Sequence, residues 1–148
     1  MTNLDSSYNS IQSAGQNFYM TKNADALTTC NGCHALDASK GQFGTDGTMA
    51  FEGFAIAENF KIPHLRNMYA KVGRFGSPAI PFATAPDTGH VGDQVRGFGF
   101  VHDGTADTLA HFFTVRVFQP TLNSGVPLWN PNTTRRDVAD FRHAMDSE

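Results

Sequence analysis

Near the N-terminus the apolar pattern predicts an amphipathic helix that begins at Ser6 or Ser7, both of which are good N-cap residues. The apolar face of this helix is narrow and consists of Ile11, Ala14, Gly15 and Phe18. A glycine inside a helix costs about 1 kcal/mol relative to alanine. Gly15 therefore indicates that another element packs closely against the helix.

A second amphipathic pattern lies near the C-terminus, after Pro131. Thr133 or Thr134 can cap a helix there, and its apolar residues recur at i, i+3 and i+7. These residues are Val138, Phe141 and Met145. We expect this last helix, which carries an aromatic residue, to cross the first helix at Gly15.

The middle of the chain has a weaker pattern. Glycines and prolines between Gly73 and Gly104 interrupt every helical or strand period, which predicts a long ordered loop. A further helix is predicted after Thr105 and ends at Gln119-Pro120. Its apolar surface comes from Leu109, Phe112, Phe113 and Val117, with Arg116 among them.

Candidate chemistry is concentrated in Cys30-Asn31-Gly32-Cys33-His34. This is the Cys-x-x-Cys-His pattern of covalent haem c attachment, in which two thiols add across the porphyrin vinyl groups and the histidine ligates iron. A zinc site would need four ligands, and the sequence has only these two cysteines. A thioredoxin-like dithiol would need a preceding strand, whereas polar residues 22–29 come before the motif.

Composition agrees with a domain organised by a cofactor. A chain of 148 residues is long enough for one domain, and 13 Phe against one Trp suit a flat macrocycle. We expect residues 1–7 to form a flexible tail and residues 8–148 to form the domain. The formal net charge of −3 gives no basic surface for nucleic acid.

The cofactor also bears on compartment, because haem c is attached outside the cytoplasm in bacteria. We therefore expect a periplasmic or extracellular protein. Residues 1–7 have neither the charged start nor the apolar run of an export signal, which suggests a mature or excised domain to which Met1 was added. No apolar stretch reaches the roughly 20 residues of a membrane span.

Together, the motif and the two terminal helices resemble a c-type cytochrome domain. Two further segments, residues 61–68 and residues 97–109, are similar to the bacterial di-haem cytochrome c peroxidase and MauG superfamily. The matching residues are Pro63, Leu65, Arg66 and Asn67 in the first segment, and His102, Asp103, Gly104, Thr108 and Leu109 in the second. The resemblance implies an all-α, cytochrome c-like fold with crossing terminal helices and long ordered loops around one haem.

This chain departs from that superfamily because it has one haem motif where the enzymes have two. The helix after His102-Asp103-Gly104 also lacks the methionine that often serves there as distal ligand. Single-haem cytochromes commonly place this methionine some tens of residues after the motif. Met68, which lies 34 residues beyond His34, is the preferred candidate. The alternatives are Met49, His64, His90 and His102.

Two residues beside Met68 have predicted roles at the porphyrin. Arg66 can pair with the propionates through its bidentate guanidinium, and Arg96 is an alternative. Asn67 is expected to form a hydrogen bond within the same segment. Asp87, Asp93 and Asp103 could shape a calcium site, but their spacing matches no known calcium loop.

The predicted function is electron transfer through one six-coordinate haem c. The alternative is a peroxidase- or oxygenase-type haem enzyme that keeps an open distal position, with His102 as acid or base. We expect a redox partner protein or a neighbouring domain. Similar single-haem domains occur in large secreted proteins joined to carbohydrate-binding modules, so attachment to such modules is a further expectation.

Overall fold

A computed structural model describes residues 8–25, 28–52, 58–73, 97–101, 104–115, 118 and 133–144. Helices within these ranges are α1 (Ser10–Thr21), α2 (Cys30–Cys33), α3 (Leu109–Phe112) and α4 (Thr133–Ala144). Strands are β1 (Asn23–Asp25), β2 (Thr28–Thr29), β3 (Leu36–Asp37), β4 (Gln42–Phe43), β5 (Met49–Glu52) and β6 (Glu58–Lys61). Two 3₁₀ turns cover Ala38–Lys40 and Met68–Lys71.

Three antiparallel strand pairs show that the all-α prediction is wrong. β1 pairs with β2, β3 with β4, and β5 with β6, so the described chain is a small mixed fold. Each strand has two to four residues. Such short strands lie below the length at which a period of two becomes visible in a sequence, and backbone pairing alone forms them.

Helix α1 begins at Ser10, so the prediction of a start at Ser6 or Ser7 is wrong. Asn9 caps the helix, because its Oδ1 accepts from the Gln12 N–H at 2.9 Å while Gln12 Oε1 accepts from the Asn9 N–H at 3.1 Å. This reciprocal capping box pairs two N–H groups that the first turn leaves without helical partners. Of the predicted apolar face, Gly15 and Phe18 are buried but Ala14 is exposed.

The predicted close contact between the first and last helices is present at Gly15. A Cβ at this position would lie 2.0 Å from the Asp137 carbonyl oxygen and 2.9 Å from Phe141 Cβ. Only glycine lets the two backbones approach this closely. The conformational cost of a mid-helix glycine is therefore offset by packing against α4.

The core lies between α1, α4 and α3. Val138 and Phe141 of α4 are fully buried, and the Phe141 ring meets the Tyr19 ring edge-on at 5.4 Å. Thr133 and Thr134 lie inside α4, and Met145 lies outside the described residues. The core cluster also contains Phe18, Leu65, Met68, Phe100, Leu109 and Phe113.

The helix predicted after Thr105 is a single turn, α3. Thr108 caps it by accepting from the His111 N–H at 3.1 Å, and Leu109 and Phe113 are buried. Arg116, Val117 and most of the predicted long loop, residues 74–96, lie outside the described residues. None of the helices in the described ranges has the length and apolar character that crossing a bilayer requires.

Candidate functional site

The two cysteines lie at the two ends of α2, one helical turn apart. Thr29 caps this turn by accepting from the Gly32 N–H at 3.0 Å, and the His34 N–H donates to the Cys30 carbonyl at 2.7 Å. Residues at i and i+3 are neighbours on a helical surface, so both side chains leave α2 on the same side. Both cysteines are half-buried and do not form a disulfide. The turn thus presents two adjacent thiols.

The spacer residues have local roles in forming this turn. Asn31 Oδ1 accepts from the Leu36 N–H at 3.0 Å, which ties α2 to β3. A Cβ on Gly32 would lie 2.2 Å from Thr28 Oγ1, so a larger residue here would require the Thr28 side chain to shift. The two spacer residues thus face β3 on one side and β2 on the other.

The imidazole of His34 is oriented by two backbone carbonyls. Its Nδ1 lies 3.0 Å from the Gly44 oxygen and 3.2 Å from the Pro63 oxygen. A carbonyl oxygen can only accept, so Nδ1 carries the proton and Nε2 keeps its lone pair. This is the arrangement of metal-binding histidines, in which a hydrogen bond from one ring nitrogen sets the tautomer and directs the other toward the metal.

Backbone pairing on both sides of residues 42–44 brings those two carbonyls to His34. The Gly44 N–H donates to the Ala35 carbonyl at 2.7 Å, and the Leu65 N–H donates to the Phe43 carbonyl at 2.8 Å. Gly44 has a φ of 96°, and a Cβ there would lie 2.4 Å from Leu65 Cγ. Only glycine combines this left-handed backbone with such close contact.

The electrostatics of the site keep His34 neutral. Burial lowers its pKa to about 4, the positive charge of Arg142 acts in the same direction, and the hydrogen bonds to Gly44 and Pro63 oppose both. At pH 7 the ring is therefore unprotonated at Nε2. Neutral imidazole is the form that binds a metal ion.

Tyr19 connects this histidine to the helical core. Its hydroxyl donates to the His34 carbonyl oxygen, and the residue is fully buried between α1 and α4. Burial raises the pKa of the Tyr19 phenol, so the hydroxyl stays protonated and remains a donor. The position of His34 thus depends on the packing of the terminal helices.

Arg142 is a buried residue that was not among the predicted site residues. Its guanidinium carbon lies 5.5 Å from the Tyr19 ring centroid and 5.1 Å from the Phe113 ring centroid. Burial raises the pKa of the Cys30 thiol, and the positive charge of Arg142 opposes that effect. The signal was present in the sequence, because Arg142 lies one turn after Val138 on the apolar face of α4.

The two methionine candidates differ in exposure. Met68 is 6% exposed and belongs to the apolar core against which Cys30 also packs, whereas Met49 is 58% exposed on β5. Of the two methionines, the structure places only Met68 in the apolar core cluster. His64 is exposed, and its Nδ1 accepts from the Arg66 N–H at 3.2 Å. His90 and His102 lie outside the described residues.

The backbone hydrogen bond from Leu65 to Phe43 brings the segment of Arg66, a predicted propionate partner, close to the motif. The Arg66 guanidinium carbon lies 4.8 Å from the centroid of the Phe43 ring, whose residue precedes Gly44. Asn67 has a φ of 58°, a left-handed conformation that asparagine tolerates, and it leads into the 3₁₀ turn of Met68. Arg96 and the three aspartates considered for calcium, Asp87, Asp93 and Asp103, lie outside the described residues.

A cavity of about 510 Å³ lies between α3 and α4, away from the motif. Its lining includes Val72, Leu109, Arg135, Ala139 and His143, but not Cys30, Cys33 or His34. In the part of the chain that the structure describes, no three His, Cys, Asp or Glu side chains group as metal ligands. The cavity and the motif are therefore separate features.

Comparison of the chain with models of protein families, with curated proteins and with solved structures found no significant match.

Proposed function

We propose that this chain binds one haem c covalently through Cys30 and Cys33, with His34 as an axial iron ligand, and that it transfers single electrons. The observation that carries the proposal is the pair of hydrogen bonds from His34 Nδ1 to Gly44 and Pro63. Metal-binding histidines are oriented in this way, with one ring nitrogen bonded to the protein and the other left for the metal.

The residues of the motif fit a covalently bound haem in three ways. The thiols lie one turn apart on the same side of α2, they are half-buried, and no disulfide removes them. His34 follows directly and is neutral at pH 7. These are the requirements for two thioether bonds and one nitrogen ligand from a single short peptide.

The bound iron supplies one-electron redox chemistry. The chain's own part is to orient the His34 imidazole, to keep water away from it, and to provide a second axial ligand. We propose Met68 for that ligand, because it is buried in the apolar core cluster against which Cys30 also packs. A methionine sulfur in this position raises the reduction potential relative to a second histidine.

The proposal also covers Arg66, Asn67 and the cellular setting. We assign propionate pairing to Arg66, whose guanidinium lies over the Phe43 ring, and the turn that leads to Met68 begins at Asn67. The partner is a redox protein or a neighbouring domain, and carbohydrate-binding modules in a longer protein are one source of such a domain. The place of function is periplasmic or extracellular.

The alternative uses of a cysteine pair have weaker support. A closed zinc site needs four ligands, and among the described residues no group of three candidate ligands comes together. A low-pKa redox dithiol needs a thiolate, yet burial raises the pKa of Cys30. The orientation of His34 has no role in dithiol chemistry.

The test is expression with a bacterial haem c maturation system, followed by intact-mass measurement of the denatured protein. We expect the mass of the chain plus one haem, and the double variant Cys30→Ala/Cys33→Ala should show the mass of the chain alone. His64→Ala, a change at an exposed residue outside the motif, should leave the added mass in place. A chain that leaves maturation without added haem mass would refute the proposal.

A second experiment separates electron transfer from haem enzyme chemistry. Optical spectra of the oxidised and reduced protein are recorded before and after addition of carbon monoxide or cyanide. We expect a low-spin spectrum that neither ligand changes, because both axial positions are filled by the chain. Rapid ligand uptake would mean an open site and would favour peroxidase-type chemistry.

A further inference from the structure

Arg142 is a charged residue in the most apolar part of the protein. It is 4% exposed on α4, and its guanidinium contacts the faces of Tyr19 and Phe113 at 5.5 and 5.1 Å from the ring centroids. Arginine is almost never fully buried unless it has a partner. Two aromatic faces compensate part of the desolvation of this cation.

The positive charge of Arg142 is not neutralised by a described carboxylate. The ion pairs found in the described ranges join Asp37, Asp107 and Asp137 to other groups. Arg142 Nε is buried and, in the same part of the chain, has no hydrogen-bond partner. Of the described carboxylates, Asp25 also acts on Cys30, and its effect on the pKa of that thiol is smaller than that of Arg142.

This charge lies close enough to act on the candidate iron site. Arg142 packs on the ring of Tyr19, whose hydroxyl donates to the His34 carbonyl. Cys30, one of the two tethering residues, packs against the core cluster that contains Tyr19 and Phe113, the two rings that Arg142 contacts. In a low-dielectric interior such an interaction is only weakly screened by solvent and salt.

We infer that Arg142 is a fixed internal cation that raises the reduction potential of the iron centre held by Cys30, Cys33 and His34. The inference rests on the proposed function. On reduction, iron(III) accepts one electron from a one-electron donor protein and becomes iron(II), so the metal loses one unit of positive charge. A nearby buried cation repels the oxidised state more than the reduced state, and it therefore favours the reduced state.

The experiment is a spectroscopic redox titration of the haem-loaded protein and three variants. Arg142→Gln removes the buried charge, Arg142→Lys retains it, and Arg136→Gln removes the same charge from the exposed face of the same helix. We expect Arg142→Gln to weaken the affinity for the electron at least tenfold, a fall of 59 mV for one electron. Arg136→Gln and Arg142→Lys should change this affinity less than threefold.

Several results would overturn the inference. They are an Arg142→Gln shift no larger than that of Arg136→Gln, a shift toward higher potential, or an Arg142→Lys shift as large as that of Arg142→Gln. If Arg142→Gln does not fold, Arg142→Lys decides: a potential near that of the unmodified protein supports the inference, and a tenfold loss refutes it.

If the proposed haem binding itself is wrong, the experiments give a different result. If the unmodified chain takes up no haem, the mass measurement shows this before any titration, and both proposals fall together. If haem is attached but the potential does not respond to the charge of residue 142, only the role of Arg142 is refuted.

Discussion

His34 Nδ1 lies 3.0 Å from the carbonyl oxygen of Gly44, although ten residues separate the two in the chain. A second acceptor, the Pro63 oxygen, lies 3.2 Å from the same nitrogen. The two acceptors belong to different segments, and both point to one ring nitrogen. The arrangement fixes the direction of Nε2, the atom that is available to a metal.

His34→Ala should remove one axial ligand from the haem-loaded protein. We expect loss of the low-spin six-coordinate spectrum and uptake of carbon monoxide, because no other described imidazole is held in this way beside the cysteines. The measurement is the optical spectrum of the reduced protein with and without carbon monoxide. His64→Ala alters an exposed histidine and should leave the spectrum as it was; an unchanged spectrum in His34→Ala would exclude His34 as ligand.

Gly44→Ala and Gly47→Ala form a matched pair. Both glycines have left-handed φ values, 96° and 92°, but a Cβ on Gly44 would lie 2.4 Å from Leu65 Cγ whereas nothing lies within 4 Å of a Cβ on Gly47. Backbone strain is thus common to both, and Gly44→Ala should cost about 1–3 kcal/mol more through overpacking. Urea unfolding measures the difference. Equal losses would mean that Leu65 moves away without cost.

Met68→Leu separates ligation from packing. The change conserves volume and should cost less than about 1.5 kcal/mol of folding free energy, whereas Met68→Ala should cost about 2–5 kcal/mol because Met68 is buried. If the sulfur binds iron, Met68→Leu loses the sulfur-to-iron charge-transfer band and lowers the reduction potential. Met49→Leu, at an exposed position, is the control. A band that survives in Met68→Leu would assign Met68 to the core alone.

The contributions of Asp25 and Asp46 to folding stability should change with pH in opposite directions. Burial raises the pKa of Asp25 above 3.8, so its ionisation weakens the fold as the pH rises through that range, and Asp25→Asn should stabilise the protein at pH 7 but not at pH 3. Hydrogen bonds from Thr48 lower the pKa of Asp46 below 3.8. Its contribution is present above that value and is lost as the pH falls, so Asp46→Asn should be destabilising at pH 7.

Unfolding free energies of both variants and the unmodified protein at pH 3, 5 and 7 check this prediction. The Asp25→Asn gain should shrink toward acid pH, and the Asp46→Asn loss should do the same. A gain from Asp25→Asn that is equal at all three pH values would show that packing of the amide, not removal of a buried charge, causes the effect.

The sequence predicted the parts of the fold that have local signatures. A glycine inside an apolar helical face indicated the contact between α1 and α4, and the structure has it at Gly15. The start of α1 was wrong because serines 6 and 7 are as suitable caps as Asn9, and only the reciprocal bonds with Gln12 identify the cap in use. The all-α prediction failed because two-residue strands leave no periodic pattern.

The sequence predicted the residues of the site that are adjacent in the chain. It did not predict the groups that only tertiary contacts bring to the site. The order of Cys30, Cys33 and His34 can be read directly from the sequence. The carbonyls of Gly44 and Pro63 cannot, because every residue has a carbonyl and only folding selects these two. The sequence places Arg142 on the apolar face of the last helix, but its two aromatic partners come from other segments and only the folded structure shows them. The roles of Met68, Arg66 and Asn67 remain predictions.

The bond from His34 to Pro63 spans 29 residues, whereas the two thiols lie within one helical turn. The turn that holds both thiols closes within four residues, whereas both acceptors of the imidazole lie farther along the chain, at Gly44 and Pro63. Closing a longer loop costs more conformational entropy, so the segment from His34 to Pro63 is the costlier of the two to order. Local unfolding of that segment would release the imidazole while leaving the two thiols side by side.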